Sequence, residues 1–393
     1  MIGHTGIVKP GRRRGALRLI LLVSAVPLLS SGVVACESPR SDAAVRTASA
    51  DPSSTAPTGT APESSTSVPA PSTTAAVSWP VATDAVAQMG DGVNFGSALE
   101  APNEGEWGPP ITDATISAVV SKGFHTVRLP VRWSGHAADV APFTIDPSFF
   151  RRVDTVVDAL LAKGVVVVLD VHHYDAVMDD PGGQAERFLG LWQQISSHYT
   201  GRSPNLWFEL LNEPNSNVTG DVWNVLARDA LVRVRETNPT RIVVIGPVNL
   251  DDADHLAALD LPADPYLMST IHYYGPIEFT HAGVSWIPGS AKWIGRRWRG
   301  TDADRAALRE VMAQAARFRQ DTGIPVFLGE FGVPGRPAPG DIGSWLQAMV
   351  CTASSMGIPW IHWIYGGYDP TIQAWDPVTL AGLRSVHDQG CPG

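Results

Sequence analysis

Cysteine is nearly absent from this 393-residue chain, and three residues, Cys36, Cys351 and Cys391, cannot build a disulfide scaffold. Charge is scarce too: 17% of residues are Asp, Glu, Lys or Arg, below the usual quarter. Tryptophan is missing from the first 78 residues, although 13 lie between Trp79 and Trp375. Unbroken apolar runs of membrane-spanning length are lacking, which excludes a multi-span membrane protein. Collagen-like and coiled-coil periods are lacking as well. What remains is an atypical N-terminal stretch and one Trp-rich body of about 315 residues, the size of a (β/α)8 barrel with modest insertions.

The N-terminal stretch reads as an address. Residues 1–35 carry Lys9, Arg12, Arg13, Arg14 and Arg18 and no acid, then an apolar segment interrupted by Pro27 and Gly32. A basic region followed by a short apolar one is the pattern of an export signal. It ends in Val33-Val34-Ala35-Cys36, which resembles a bacterial lipobox, with Cys36 as the lipidated residue. An ordinary cleaved signal with an incidental Cys36 is the alternative. Arg13-Arg14 also loosely resembles a twin-arginine export signal. Residues 36–79 are rich in Ala, Ser, Thr and Pro and have too few large apolar side chains to offset ordering entropy, so they are expected to form a tether.

Formal net charge is −10 for the whole chain; taking the five signal cations from its 29 leaves 24 basic against 39 acidic residues, about −15. An acidic body without a basic stripe excludes nucleic acid as a partner. The expected setting is extracellular or on the cell envelope, with the membrane reached only through the lipid anchor and the protein acting as a monomer. In an oxidising compartment Cys351 and Cys391 could staple the C-terminus to a preceding helix; two unrelated thiols are the alternative.

From residue 80 to 393 the pattern is one domain of repeated strand–helix units. Apolar runs fall at 92–96, 125–131, 165–171, 206–211, 241–245, 267–272, 325–329 and 358–363, separated by amphipathic helical stretches. Continuous runs such as Val165-Val166-Val167-Val168-Leu169 suit parallel strands buried on both faces. Eight of them favour an α/β TIM barrel over a doubly wound sheet. Gly123, Gly164 and Gly357 are expected to close three of the helices.

Such a barrel works at the C-terminal ends of its strands. Asn94, Arg128, His172, His173, Asn212, Glu213, His272, Tyr274, Glu330 and Trp363 all fall there. Glu213 is expected to end the fourth strand and Glu330 the seventh. Two carboxyl groups facing one mouth suit glycoside hydrolysis, one protonated to assist the leaving oxygen and one ionised. Each could instead be half of a buried ion pair. Strand alternation would send only one of His172 and His173 inward. Glu209 lies deeper on the face of Glu213, as a structural partner. Trp192, Trp207, Trp223 and Trp345 are expected in the core. Zinc held by the histidines and a carboxylate is the rival chemistry, but a His-x-His pair is lacking, so no metal or other cofactor is expected.

Residues 90–383 resemble glycoside hydrolase family 5, the cellulase family. The resemblance rests on Asn212-Glu213-Pro214, Gly329-Glu330-Phe331-Gly332, Val127-Arg128-Leu129-Pro130, His172-His173-Tyr174, His272-Tyr273-Tyr274 and Trp363. It is nearest the bacterial endo-β-1,4-glucanase and mannanase branch, through the stretch from Gly92 to Gly108 and Glu278-Phe279-Thr280-His281. The resemblance implies a retaining enzyme of β-1,4-linked polysaccharide with Glu213 as acid/base and Glu330 as nucleophile. It implies that Arg128 and Tyr274 hold Glu330, that His272 tunes Glu213, and that Asn212 bonds the sugar 2-hydroxyl. It also implies sugar contacts by Asn94, His172 and His173, walls from Trp286 and His281, and a floor from Trp363. Cellulose-type glucan leads, with mannan, mixed-linkage glucan and xyloglucan behind it; a non-catalytic carbohydrate-binding lipoprotein is the reading from another class. Val248-Asn249-Leu250 stands where a Trp is common in the branch, Ile364 where an acid is common, and Ser97 where an Asn is common. These departures bear on the substrate rather than on the chemistry.

Overall fold

The computed structural model describes residues 78–363, 367–388 and 390–391. The signal, Cys36, Ile364 and nearly all of the tether lie outside them. Eight strands form one parallel sheet: β1 (Gly92–Asn94), β2 (Thr126–Leu129), β3 (Val166–Asp170), β4 (Leu206–Glu209), β5 (Val243–Val244), β6 (Leu267–His272), β7 (Val326–Glu330) and β8 (Ile361–Trp363). Their order runs from β7 down to β1 and then β8, and a parallel bridge between Leu328 and Trp360 joins the two ends into a barrel. β1 to β4 end one or two residues before their apolar runs do, because the chain leaves the ladder on reaching the mouth.

Long helices follow seven of the strands: α1 (Asp113–Val120), α2 (Pro147–Leu161), α3 (Pro181–His198), α4 (Gly220–Thr237), α5 (Asp302–Thr322), α6 (Pro339–Ser355) and α7 (Pro377–Asp388). Local chemistry sets their ends. Asp146 caps α2 by accepting from Ser148 N, with Pro147 in the first turn. Thr301 and Asp304 form a reciprocal capping box on α5. Gly123, Gly164 and Gly357 have φ of +83°, +75° and +63°, the left-handed geometry that ends a helix. The exception to the eight full units is the β5–β6 connection, where short turns over Val248–Asp251 and Ala253–Ala258 replace a helix.

Two apolar cores result from strand alternation. The larger, between barrel and helices, takes Val167, Leu169, Phe208, Trp192, Trp223 and Trp345. The smaller fills the lower barrel with Val166, Val168, Trp207, Val244, Met268 and Phe327. Trp192, Trp207, Trp223 and Trp345 are therefore structural, none more than 2% exposed. Two residues further along the same strands the interior turns polar, with Arg128, Asp170, Glu209 and Thr270 fully buried. That change from an apolar to a charged layer locates the working end.

Cys351 on α6 and Cys391 are joined by a disulfide, Cα–Cα 5.5 Å, across 40 residues. A cross-link of that span removes roughly 4 kcal/mol of unfolded-chain entropy in the loop-closure account. It ties the chain beyond α7 back to α6, the helix α7 packs on.

Candidate active site

Arg128 is the hub of the mouth. Its side chain is wholly buried on β2, and its nitrogens reach three carboxylates. Nε and Nη2 donate to Glu209 Oε2 and Oε1 at 2.8 and 2.6 Å. Nη1 donates to Glu330 Oε1 at 2.7 Å and Asn94 Oδ1 at 3.0 Å, and Nη2 to Asn212 Oδ1 at 2.8 Å. Asp170 Oδ2 lies 2.8 Å from Nη2. A planar guanidinium satisfies this fork of acceptors; an ammonium could not.

Glu330 ends β7, with both oxygens occupied: Arg128 holds Oε1, and Tyr274 OH donates to Oε2 at 2.8 Å. Burial pushes its carboxyl up, while Arg128 and the Tyr274 hydroxyl pull it down. We take the two donors as deciding, because both hydrogen bonds favour the carboxylate.

Glu213 differs in every respect. It stands four residues beyond the end of β4, not at the strand end expected from sequence, at φ +49°. A non-glycine residue in the left-handed region costs energy that its surroundings must offset. Its side chain keeps 28% of its surface open to the mouth, and its Oε1 meets His272 Nδ1 at 3.0 Å. Burial pushes it up to about 7, against the pull of Arg128 and with a push from Glu209. Burial holds His272 down to about 4, so the imidazole is neutral at pH 7. The two glutamates thus sit in unlike settings, one pinned by two donors, the other beside a neutral ring.

His272 reaches between them because of a local irregularity. The β6–β7 register slips between Ile271 and His272, which sets His272 opposite Glu330. Gly329 makes room: a Cβ there would overlap the Thr270 hydroxyl and lie 3.2 Å from His272 Nε2. Glu213, His272 and Glu330 offer three potential ligand atoms all within 4.8 Å of one another, as do Glu209, Asp251 and His272. In the second group both Glu209 oxygens already accept from Arg128, so a cation there would share that carboxylate with the guanidinium. Among the described residues both groups include His272, one of the histidines of the rival zinc chemistry, but neither includes the other two, His172 and His173.

The remaining expected residues divide. Trp363 ends β8 beside Gly96, where any Cβ would overlap its indole. His172 stacks on Trp363 at 6.0 Å and 26°, its Nδ1 3.2 Å from Asp170. His173 departs from the strand alternation that would turn it away, since β3 has ended and its φ is +48°. It meets both His172 and Trp107 edge-on, at 4.6 and 5.3 Å. Asn94 is a correction: it is wholly buried, with Nδ2 donating to Gly329 O and Oδ1 taken by Arg128, so it positions Arg128 rather than facing sugar. His281 is 9% exposed and lies edge-on to both Tyr274, at 5.0 Å, and Trp286, at 6.4 Å. Trp286, at 48% exposure, does face outward on the β6–α5 loop.

Four residues escaped the sequence reading. Asp170 carries a faint signal, closing the apolar run two positions before His172. Glu100 accepts from Ser97 N and Ala98 N, and Trp107 is 46% exposed; both were visible only inside a longer motif. Asp251, buried with a carboxylate oxygen 2.9 Å from Glu213 N, has no local signal.

The family model for cellulase (glycosyl hydrolase family 5) matches residues 86–369. Endoglucanase H of Acetivibrio thermocellus is 39% identical over 248 residues, 63% of this chain but only 26% of that protein; the chain thus spans about a quarter of its length. Endoglucanase A of Ruminococcus albus is 26% identical over 315 residues, covering 73% of this chain and 84% of that one. Among solved structures, Thermotoga maritima Cel5A in complex with mannotriose superposes with TM-score 0.74 and 36% identity, over 77% of this chain and 99% of that one. The chain therefore belongs to the cellulase family, glycosyl hydrolase family 5.

Proposed function

We propose that this glycosyl hydrolase cleaves β-1,4-linked polysaccharide within the chain, cellulose-type glucan first, by double displacement with retention. A Glu330 oxygen attacks the anomeric carbon as the glycosidic C–O bond breaks, and Glu213 gives its proton to the departing oxygen. Water then loses a proton to Glu213 while its oxygen displaces Glu330. One observation carries the reading: the two carboxyl groups approach closely, with one oxygen of Glu213 and one of Glu330 within 4.8 Å of each other. Retaining glycosidases hold their carboxyl groups about 5–5.5 Å apart, whereas inverting ones leave about 6.5–9.5 Å for a water. In this reading Asn212, its Oδ1 held by Arg128, offers its amide N–H to the sugar 2-hydroxyl. His172 and His173 line the glycone side, Trp363 carries the sugar at the cleavage point, and Trp286 walls the groove.

The pH dependence follows from Glu213. As an acid it works below its pKa, so kcat/KM should fall as pH rises through about 7. A pH profile on an aryl β-cellobioside with a poor leaving group checks this; a flat profile from pH 6 to 9 would assign the proton elsewhere.

Cellulose-type glucan leads because the two endoglucanases above are relatives, and mannan follows because Cel5A is solved with mannotriose and, separately, with cellobiose. Beyond Glu213 an open cleft of about 440 Å³ is lined by a mixture of polar and small apolar side chains, among them Asn215, Thr219, Val248, Asn249 and His255, where the branch commonly has a Trp. Reducing-sugar release from carboxymethylcellulose, lichenan, glucomannan, xyloglucan and galactomannan tests the substrate. The largest rate is expected on an unbranched β-1,4-glucan. Binding without release from any of them would establish the non-catalytic lipoprotein instead.

For the address, the Cys36 motif supports lipid anchoring on the envelope. In detergent phase partition the full chain should enter the detergent phase and Cys36→Ala the aqueous phase; equal partition would make Cys36 incidental.

A further inference from the structure

Asp251 lies outside the set of residues just given roles, yet it touches the acid/base assembly at two points. It closes the turn Val248–Asp251, in which Asn249, Leu250 and Asp251 are consecutively left-handed at φ +64°, +68° and +55°. Three non-glycine residues in that region are a costly arrangement on exposed loops and in cores alike. Gly246 is what admits the side chain, since any Cβ there would overlap Asp251 Oδ1. The carboxylate is fully buried. Its Oδ2 accepts from the backbone N–H of Glu213 at 2.9 Å, and the same oxygen lies 3.5 Å from His272 Nε2. Among the described residues neither His272 Nε2 nor Asp251 Oδ1 has a hydrogen-bond partner, although both are buried polar atoms. Buried unpartnered groups cost free energy and persist where something else depends on them.

Both contacts converge on one side chain. The Glu213 N–H belongs to the residue whose φ of +49° aims its carboxyl at the mouth, and that N–H is held by Asp251. The opposite edge of the His272 ring, Nδ1, sits 3.0 Å from Glu213 Oε1. Burial and the neighbouring Glu209 and Glu213 push the Asp251 carboxyl up, and its Oδ2, 3.5 Å from Nε2, limits how far the ring can tilt away from Glu213. We propose that Asp251 is a positioning residue for general acid catalysis, bracing Glu213 through its backbone N–H and through His272. The inference rests on Glu213 being the acid/base. It adds a residue supplied by the β5–β6 connection, where the other barrel units have a helix.

A merely structural Asp251 would lower activity equally on all substrates. A residue that aims the acid matters most where the leaving group needs a proton. The test compares Asp251→Ala, Asp251→Asn and Glu213→Ala across aryl β-cellobiosides from dinitrophenyl to phenyl, with thermal melts alongside. Asp251→Ala should lose roughly ten- to a hundredfold in kcat/KM on the phenyl substrate and under about threefold on the dinitrophenyl one. Asp251→Asn retains an oxygen for the Glu213 N–H but puts an amide in place of the other carboxyl oxygen, and should fall between Ala and the parent. Parallel losses on every substrate, or an Asp251→Asn leaving-group dependence equal to the parent's, would overturn the inference. If Asp251→Ala does not fold, the Asp251→Asn series alone decides. Should Glu213→Ala itself show no leaving-group dependence, the assignment of the acid/base fails first; if Glu213→Ala shows it and the Asp251 variants do not, only the role of Asp251 fails.

Discussion

Glu330→Ala should abolish turnover of polysaccharide and of aryl β-cellobiosides alike, by at least about 10⁴-fold, because no group remains to form the glycosyl-enzyme bond. Azide fits the space left by the carboxylate and can attack from the same side, so added azide should restore turnover of a dinitrophenyl β-cellobioside and yield the α-glycosyl azide. Glu213→Ala should behave differently. The dinitrophenyl leaving group departs without a proton, so the covalent intermediate still forms and accumulates. Azide then displaces Glu330 from the opposite face and yields the β-glycosyl azide. Losses from removing a general acid run at about 10²–10⁴-fold on poor leaving groups. Nuclear magnetic resonance of the anomeric proton distinguishes the products, and exchanged outcomes would mean that the two glutamates have exchanged roles. The Glu213→Ala profile should also lose the limb near pH 7, since that limb belongs to the missing proton.

Arg128→Ala should be the most damaging single change to the fold and the site together. It leaves Asp170, Glu209 and Glu330 buried around an empty centre, each formerly within 2.8 Å of a guanidinium nitrogen. Breaking a buried pair by removing one partner costs about 3–5 kcal/mol, because a charge is stranded without water or counter-ion. Those carboxylates would then be easier to protonate in the folded than in the unfolded protein. Stability lost at pH 7 should therefore return in part as the pH falls and they take up protons, and urea melts of variant and parent should draw together. Arg128→Lys isolates the geometry from the charge. It should keep more of the stability than Ala does but lose most of the activity, since one ammonium cannot serve Glu209 twice while also holding Glu330, Asn94 and Asn212. Arg128→Lys with parent-like kcat/KM would show that charge alone is enough.

Much of the barrel was legible because burial on both faces leaves a one-dimensional signature. Val165 to Leu169 can only be satisfied by an apolar environment on each side, so the run itself demands a covered parallel strand. Gly123, Gly164 and Gly357 are legible for a similar reason, since a left-handed helix end needs a residue without a Cβ. Glu213 and Glu330 were visible from their place in the units, and Arg128 from its polarity within an apolar strand. The β5–β6 connection was not legible as an irregular turn, because the helical period fades there without any positive signal for three left-handed residues in succession.

What the sequence determined by itself is the order of strands and helices, the end of the barrel that carries the polar residues, and the pair of glutamates in its mouth. These depend on local periodicity and on which side chains tolerate burial. Only the tertiary structure decided that Asn94 braces Arg128 instead of meeting sugar, that His173 turns into the mouth despite strand alternation, that Glu213 stands on a left-handed residue beyond its strand, and that Asp251 reaches both Glu213 and His272. Each of these depends on a contact between residues up to 38 positions apart, or on a backbone conformation unfavourable in isolation. Such a conformation is held in place only by neighbours that the finished barrel supplies.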